Sequence, residues 1–290
     1  MLTGAVAGVT RYVMHDSGEE SEGEFLASSA QELMQFLETV DGDITVQIAA
    51  GTVFELDPFH VDERSIELVA AEGEQPIFRF DDDAHNAAIT CVDGRLSVQG
   101  IRFESLVSDP DRFGDAPLIL CDHGDLSLTH CEITSLYRGC IVLIEAECSV
   151  HQTFLSTERH AIEIQPQQGS CVLSIVDCSI ESSVAVGVES GGKIGITDSH
   201  IRSDVAFETR YLANSMNRLI IEEGANQFDC ETADIAVFGI PDLLVDDLDI
   251  AQVLPVDWRA STSEPRDLRL RLVSSADEER LVSVRVPVSR

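Results

Sequence analysis

A right-handed parallel β-helix, wound from coils of three short strands, is the fold class this sequence predicts, and three observations carry that prediction. First, a decapeptide recurs: LSVQGIRFES from Leu96, LSLTHCEITS from Leu126, CSVHQTFLST from Cys148, LSIVDCSIES from Leu173 and IGITDSHIRS from Ile194. Its starts lie 30, 22, 25 and 21 residues apart. A unit of that length cannot bury an apolar face alone, so copies stack. Second, the columns agree: positions one, three and eight are apolar, and position ten is Ser105, Ser135, Thr157, Ser182 and Ser203. Position six is small at Cys131, Thr153, Cys178 and Ser199, with Ile101 the exception. Third, a tetrapeptide of small, apolar, variable and apolar residues precedes each copy: AITC from Ala88, PLIL from Pro117, CIVL from Cys140, AIEI from Ala161 and AVGV from Ala185. Turns at Asp93-Gly94, His123-Gly124, Gly169-Ser170 and Gly191-Gly192 separate the two, with glycine expected to supply left-handed backbone. Parallel strands joined this way wind right-handed.

Taken in order, residues 1–28 read as an acidic, flexible tail, because DSGEESEGE from Asp16 carries no apolar side chain. Ser29 followed by Glu32 is a capping box, and Leu33, Phe36, Leu37 and Val40 follow at helical spacing, so a short helix covers the first coil. Ile44–Ile48, Val53–Leu56, Ile66–Leu68 and Ile77–Phe80 alternate as early, less regular coils. The helix and solenoid together occupy 29–240, and 241–290 forms a C-terminal cap. Within that cap Pro241–Pro255 is acidic and amphipathic. Beyond it, DLRLRLV from Asp267 and RLVSVRV from Arg280, with a turn between, predict an Arg-rich β-hairpin. This cationic hairpin is expected to dock on its own acidic flank or on an acidic partner.

A formal charge of −33, with one lysine, Lys193, among 19 basic residues, repels nucleic acid and anionic membranes. Aromatics are scarce at 6%, which suits aliphatic ladders. The eight cysteines include no CxxC pair, and most lie in or beside apolar runs. Cys131 and Cys178 share a repeat position two coils apart, about 9.6 Å at two strand spacings, too far for a bridge. Free thiols point to the cytoplasm. Met1–Val9 lacks a basic flank for a signal peptide, and no run of apolar residues is long enough to span a bilayer.

This coil pattern resembles the right-handed parallel β-helix superfamily typified by pectin and pectate lyases. The resemblance covers about 44–230: an apolar-x-apolar strand, a small polar corner, another apolar residue, and a Gly-apolar-x-apolar strand. It implies a site on the outward residues of the small-apolar strand and on the loop before it. The variable positions there read Thr90, Ile119, Val142, Glu163 and Gly187. One carboxylate among them makes neither the acid–base pair of glycoside hydrolysis nor a calcium cage, so no catalytic residue of that family is carried over. What remains is an apolar stripe, Ile119 and Val142, with charges beside it: Asp111 in the loop 108–117, then Arg138, Arg159 and Glu163.

The expected function is a non-catalytic scaffold or binding module, meeting another protein or a second copy of itself through Ile119, Val142, Glu163, Arg138 and Arg159. The alternative is a carbohydrate-active enzyme, a lyase or hydrolase acting on polysaccharide, with Glu163, Arg159, Arg138 and Asp111 at its site. A third expectation is that the chain is a targeting piece of a larger protein. The histidines are scattered, with no pair at ligand spacing, and no GxSxG, HExxH or phosphate loop occurs. The sequence therefore calls for no metal and no cofactor.

Overall fold

The computed structural model describes residues 25–80, 87–105, 116–165, 171–189, 192–210, 219–240, 256–260 and 266–286. The chain opens with β1 (Phe25–Ala27), α1 (Ala30–Thr39), β2 (Ile44–Ile48), β3 (Val53–Leu56), β4 (Phe59–Asp62), β5 (Ser65–Ala70) and β6 (Ile77–Phe80). The repeat region supplies β7 (Ile89–Val92), β8 (Arg95–Gln99), β9 (Arg102–Ser105), β10 (Ile119–Asp122), β11 (Asp125–Thr129) and β12 (Glu132–Ser135). It continues through β13 (Ile141–Ile144), β14 (Glu147–His151), β15 (Phe154–Thr157), β16 (His160–Ile164), β17 (Val172–Val176), β18 (Ser179–Val188), β19 (Gly192–Thr197) and β20 (His200–Arg210). The last elements are β21 (Leu219–Glu223), β22 (Gln227–Ile240), β23 (Val256–Ala260), β24 (Arg266–Ser274) and β25 (Glu279–Val286).

These strands form a parallel β-solenoid. One sheet, A, stacks the first strand of every decapeptide in the order β1-β2-β5-β8-β11-β14-β17-β19-β21-β23. The other, B, carries both remaining strands of each coil. In the early coils these are separate, as β12 and β13 are. In later coils each pair fuses into one long bent strand, as in β18, β20 and β22, so sheet B turns through two faces of the tube. Register follows the aligned decapeptides: Leu96, Leu126, Cys148, Leu173 and Ile194 are successive partners in sheet A. Position eight forms an inward column from Phe54 through Phe78, Phe103, Ile133, Leu155, Ile180 and Ile201 to Phe228.

Both corners of the coil explain residue choices that the repeat displayed. At position five the backbone is left-handed, with φ of 74° at Gly100, 54° at His130, 47° at Gln152, 54° at Asp177 and 52° at Asp198. Position six then stitches rung to rung. Cys131 N donates to Thr153 Oγ1 at 3.2 Å, Cys178 N to Ser199 Oγ at 3.1 Å, and Ser199 N to Asn226 Oδ1 at 2.9 Å. Small polar groups are needed there because the acceptor must reach a buried backbone N–H one rung away. At the other corner Asp93 and His123 take the positive φ, at 48° and 53°, and not the glycines that follow them. Gly124 is required instead by close approach, since a Cβ there would lie 2.5 Å from the Gly94 carbonyl oxygen of the coil below.

The helix expectation holds in detail. Ser29 Oγ accepts from Glu32 N at 3.3 Å, and Glu32 Oε2 reaches back to Ser28 N at 2.9 Å. Leu33, Phe36 and Leu37 are buried, and the Phe36 ring stacks on Phe25 with centroids 4.0 Å apart. Arg64 closes the other end, donating to the carbonyls of Val40 at 2.7 Å and Leu37 at 2.9 Å, where a cation suits the helix dipole.

The ends depart from expectation. Of the tail, 1–24 lie outside the described residues, but Phe25–Ala27 is already a strand, β1, in register with β2. At the far end the solenoid continues past residue 240: β23 adds to sheet A beside β21, and β24 adds in parallel to β22. The hairpin therefore exists, yet its first strand is itself a rung, and among the described strands only β25 runs antiparallel. The amphipathic segment 241–255 lies outside the described residues. Docking of the arginines is partly intramolecular, with Arg269 3.6 Å from Asp234, Arg259 3.7 Å from Glu222, and Arg271 paired with Glu279.

Candidate functional site

The face that the family resemblance singles out is the outer side of sheet B over the small-apolar strands. Its outward row, read from the strand register, is His60, Thr90, Leu120, Val142, Glu163, Gly187, Glu208, Ala236 and Arg271. Two corrections follow at once. Ile119 points inward and is fully buried, between Ile89 and Ile141; the outward residue of its coil is Leu120. Val142 does lie in the outward row, but it is only 5% exposed, so the pair is not an open apolar stripe.

Arg138 is also not a loop charge. It is 1% exposed, and its guanidinium turns toward the preceding coil, donating from Nε to the Ala116 carbonyl at 3.2 Å and from Nη2 to the Pro117 carbonyl at 3.0 Å. Burial lowers its pKa from the ordinary arginine value. Its own backbone is held from both sides, with Arg138 N on Ser135 Oγ at 3.2 Å and Thr157 Oγ1 on the Arg138 carbonyl at 2.7 Å. The position-ten hydroxyls at Ser135 and Thr157 are thus turn braces. Arg159 is half-buried one coil on, its N–H donating to Thr157 Oγ1 at 3.1 Å. Asp111 lies outside the described residues.

Glu163 stands on the outward row with Oε1 accepting from Gln165 Nε2 at 2.7 Å. Two rungs away in the same row is Glu208, at about 9.6 Å by strand spacing. Gly187 lies between them, and its lack of a side chain admits the His160 ring: a Cβ there would meet His160 Cδ2 at 2.7 Å. His160 Nε2 is 3.8 Å from Glu208 Oε1. Sequence reading noted Glu163 and Gly187 but missed Glu208. The available signal was the register itself, continued one coil beyond the last clear tetrapeptide. Chemically the row offers two carboxylates and an imidazole on a flat floor. No cluster of three or more metal-ligating side chains occurs among the described residues.

Other titratable groups have structural employment. His123 bridges two coils, with Nδ1 2.6 Å from Asp122 Oδ1 and Nε2 2.9 Å from Glu145 Oε2. The Asp122 hydrogen bond first, and the nearby Glu145 charge after it, raise the imidazole pKa above the usual value. A group that holds its proton more tightly when folded stabilises the fold below its unfolded pKa of about 6.5, and that contribution is lost as pH climbs through the raised value. The expected result is that wild type melts above His123→Asn at about pH 5.5 and converges with it by about pH 9. Asparagine is the right replacement because it tolerates the left-handed backbone at this position. A melting difference independent of pH would refute the bridge. His200 is likewise engaged, 2.8 Å from Asp229.

All eight cysteines are free and buried. Burial pushes the Cys131 thiol up to about 11 and the Cys140 thiol up to about 12, which makes them poor nucleophiles. No helix among the described residues is long and apolar enough to cross a membrane.

No known protein family matches the chain, and no curated protein matches it. Among solved structures the chain is similar to the crystal structure of Escherichia coli ybhC, at 11% identity and a TM-score of 0.45, over 80% of each chain.

Proposed function

We propose that the chain is a non-catalytic binding module whose outer sheet-B row receives a basic segment of a partner protein. The observation that carries this reading is the row itself: Glu163 and Glu208 stand on it two rungs apart, with Gly187, which has no side chain, between them. That separation, about 9.6 Å, matches one turn of a polyproline II segment, three residues at about 3.1 Å each, which brings residues i and i+3 to the same face. A peptide laid across the strands with arginines at i and i+3 places one cation on each carboxylate, and the −33 charge favours its approach.

The eight buried thiols without a bridge support a reducing, cytoplasmic setting. Kinship with the pectin and pectate lyase superfamily belongs to the same reading as a likeness of coil, supported by the three-strand rung and not by catalytic residues.

Fluorescence anisotropy with labelled peptides tests the proposal. A peptide with arginines three apart is expected to bind more tightly than one with arginines two apart. The double variant Glu163→Arg, Glu208→Arg is expected to weaken it at least about tenfold. A matched reversal on the outer face of sheet A, Glu67→Arg with Glu147→Arg, controls for bulk charge and is expected to change affinity less than about twofold. Equal losses from both doubles would remove the basis for the site. Turnover of a uronate polymer by the same preparation, abolished by Glu163→Gln, would replace the reading with the carbohydrate-active alternative.

A further inference from the structure

Sheet B ends on a strand with an open side. Among the described residues β25 pairs only with β24. It is an eight-residue strand without proline, and no register shift interrupts its pairing with β24. Such an edge presents a row of backbone donors and acceptors, and proteins ordinarily blunt it. The end cap here is lopsided: α1 covers the first coil, while Leu281 on β25 is 67% exposed, the largest value among the described apolar side chains. Val282 and Val284 face the other way and pack on the core.

We infer that β25 is a docking edge for a second copy of this chain, joined antiparallel across a two-fold axis so that two sheets B become continuous. Two independent features of the sequence fit that occupant. Charge is the first. Residues 266–286 hold five arginines (Arg266, Arg269, Arg271, Arg280, Arg285) against four acids (Asp267, Asp277, Glu278, Glu279), a net of +1 on a chain of −33. This end is where two such acidic molecules approach with least repulsion.

Register is the second. A two-fold axis normal to the sheet keeps outer faces outer, so a residue must pair with one of its own parity. With Val282 on the axis, Glu279 of one copy faces Arg285 of the other, twice, and Leu281 faces Ser283 with its counterpart Leu281 on the diagonal. Opposite charges directly across a strand pair are favourable, and the diagonal brings the two exposed leucines within reach. Placing Leu281 or Ser283 on the axis loses the Glu279–Arg285 match. Glu279 keeps its intramolecular partner Arg271 on the same face, so the pair becomes a short network.

An eight-residue strand pair buries less than the ~1,200 Å² of a standard interface, so the dimer is expected to be concentration-dependent, assembling over roughly 1 to 100 µM. Sedimentation velocity on the full chain should show the weight-average mass rising from 31.6 kDa toward twice that value and stopping there. Arg285→Glu alone and Glu279→Arg alone should each remain monomeric, since each makes like charges face across the axis. Mixed one to one, they should restore the dimer, because both cross-axis pairs become opposite in the heterodimer. Circular dichroism matching wild type establishes that the variants fold. A wild type monomeric at about 100 µM, a dimer indifferent to Arg285→Glu, a mixture that fails to reassociate, or growth beyond two copies would each overturn the assignment. This inference does not rest on the peptide-binding reading, whose carboxylates Glu163 and Glu208 stand on other rungs, in β16 and β20.

Discussion

Replacing Arg138 with methionine lowers the unfolding free energy by about 3–5 kcal/mol, the loss of two hydrogen bonds from a charged donor. The side chain is 1% exposed and spans one rung to bind the carbonyls of Ala116 and Pro117. Those carbonyls belong to the segment that enters β10, and the backbone there continues upward through Leu118 N on the Gly139 carbonyl at 2.9 Å. Methionine keeps the length of the apolar stem but donates nothing, so one buried and one half-buried acceptor lose their partner. Each hydrogen bond from a charged donor contributes about 1.5–3 kcal/mol, and the orphaned carbonyls add desolvation cost. Lysine retains the charge but cannot fork between two acceptors, so Arg138→Lys should fall between wild type and methionine. Urea titration gives the free energy, and the melting temperature should drop by about 10 °C for a chain of this size. A methionine variant within about 1 kcal/mol of wild type would show that the arginine is a passenger in that corner.

Arg138 also marks where sequence reading stopped. A charged residue in a corner between strands reads as solvated, because nothing in a linear sequence says which carbonyls the next rung will present. The decapeptides were legible because their apolar positions alternate with Ser, Thr, Asp and His, which phases the strand: Ser97, Ser127, Ser149 and Ser174 mark the outer face of sheet A without ambiguity. Pro117–Cys121 and Cys140–Ile144 have no such marker. PLIL aligns with the other tetrapeptides by its first residue, but the register in the sheet pairs Ile119 with Ile141 and Leu120 with Val142, one residue displaced from that alignment. A slip of one exchanges the two faces of a strand, which is how a lumen residue came to be read as an outward one. Fusion of later strands into β18, β20 and β22 hid Glu208 for a related reason: the turn signals that delimit the tetrapeptides are gone there, and only counting along the register recovers the row. The outward row therefore holds Glu163 and, two rungs on, Glu208, while Ile119 and Arg138 move into the framework.

Phe78→Ala should cost about 3–5 kcal/mol, and the loss should be local. The side chain is fully buried in the position-eight column, edge-on to Phe54 with centroids 5.4 Å apart and to Phe103 at 5.7 Å. These three rings fill the lumen where the coils are least regular, and truncating the middle one leaves a void lined by two aromatic faces that strand spacing prevents from closing. In a solenoid each rung touches only its neighbours, so stability is a sum of rung and interface contributions. The damage is then confined to the coils that share the void. Hydrogen exchange by mass spectrometry should show faster exchange in β3, β6 and β9 and in α1, which rests on β3. Amides of β14, β17 and β19 should keep their wild-type protection. Phe54→Ala, with a ring neighbour on one side only, should lose less than Phe78→Ala. Uniformly faster exchange along the whole tube would mean that the chain unfolds as one cooperative unit, and the nearest-neighbour account of its stability would fail.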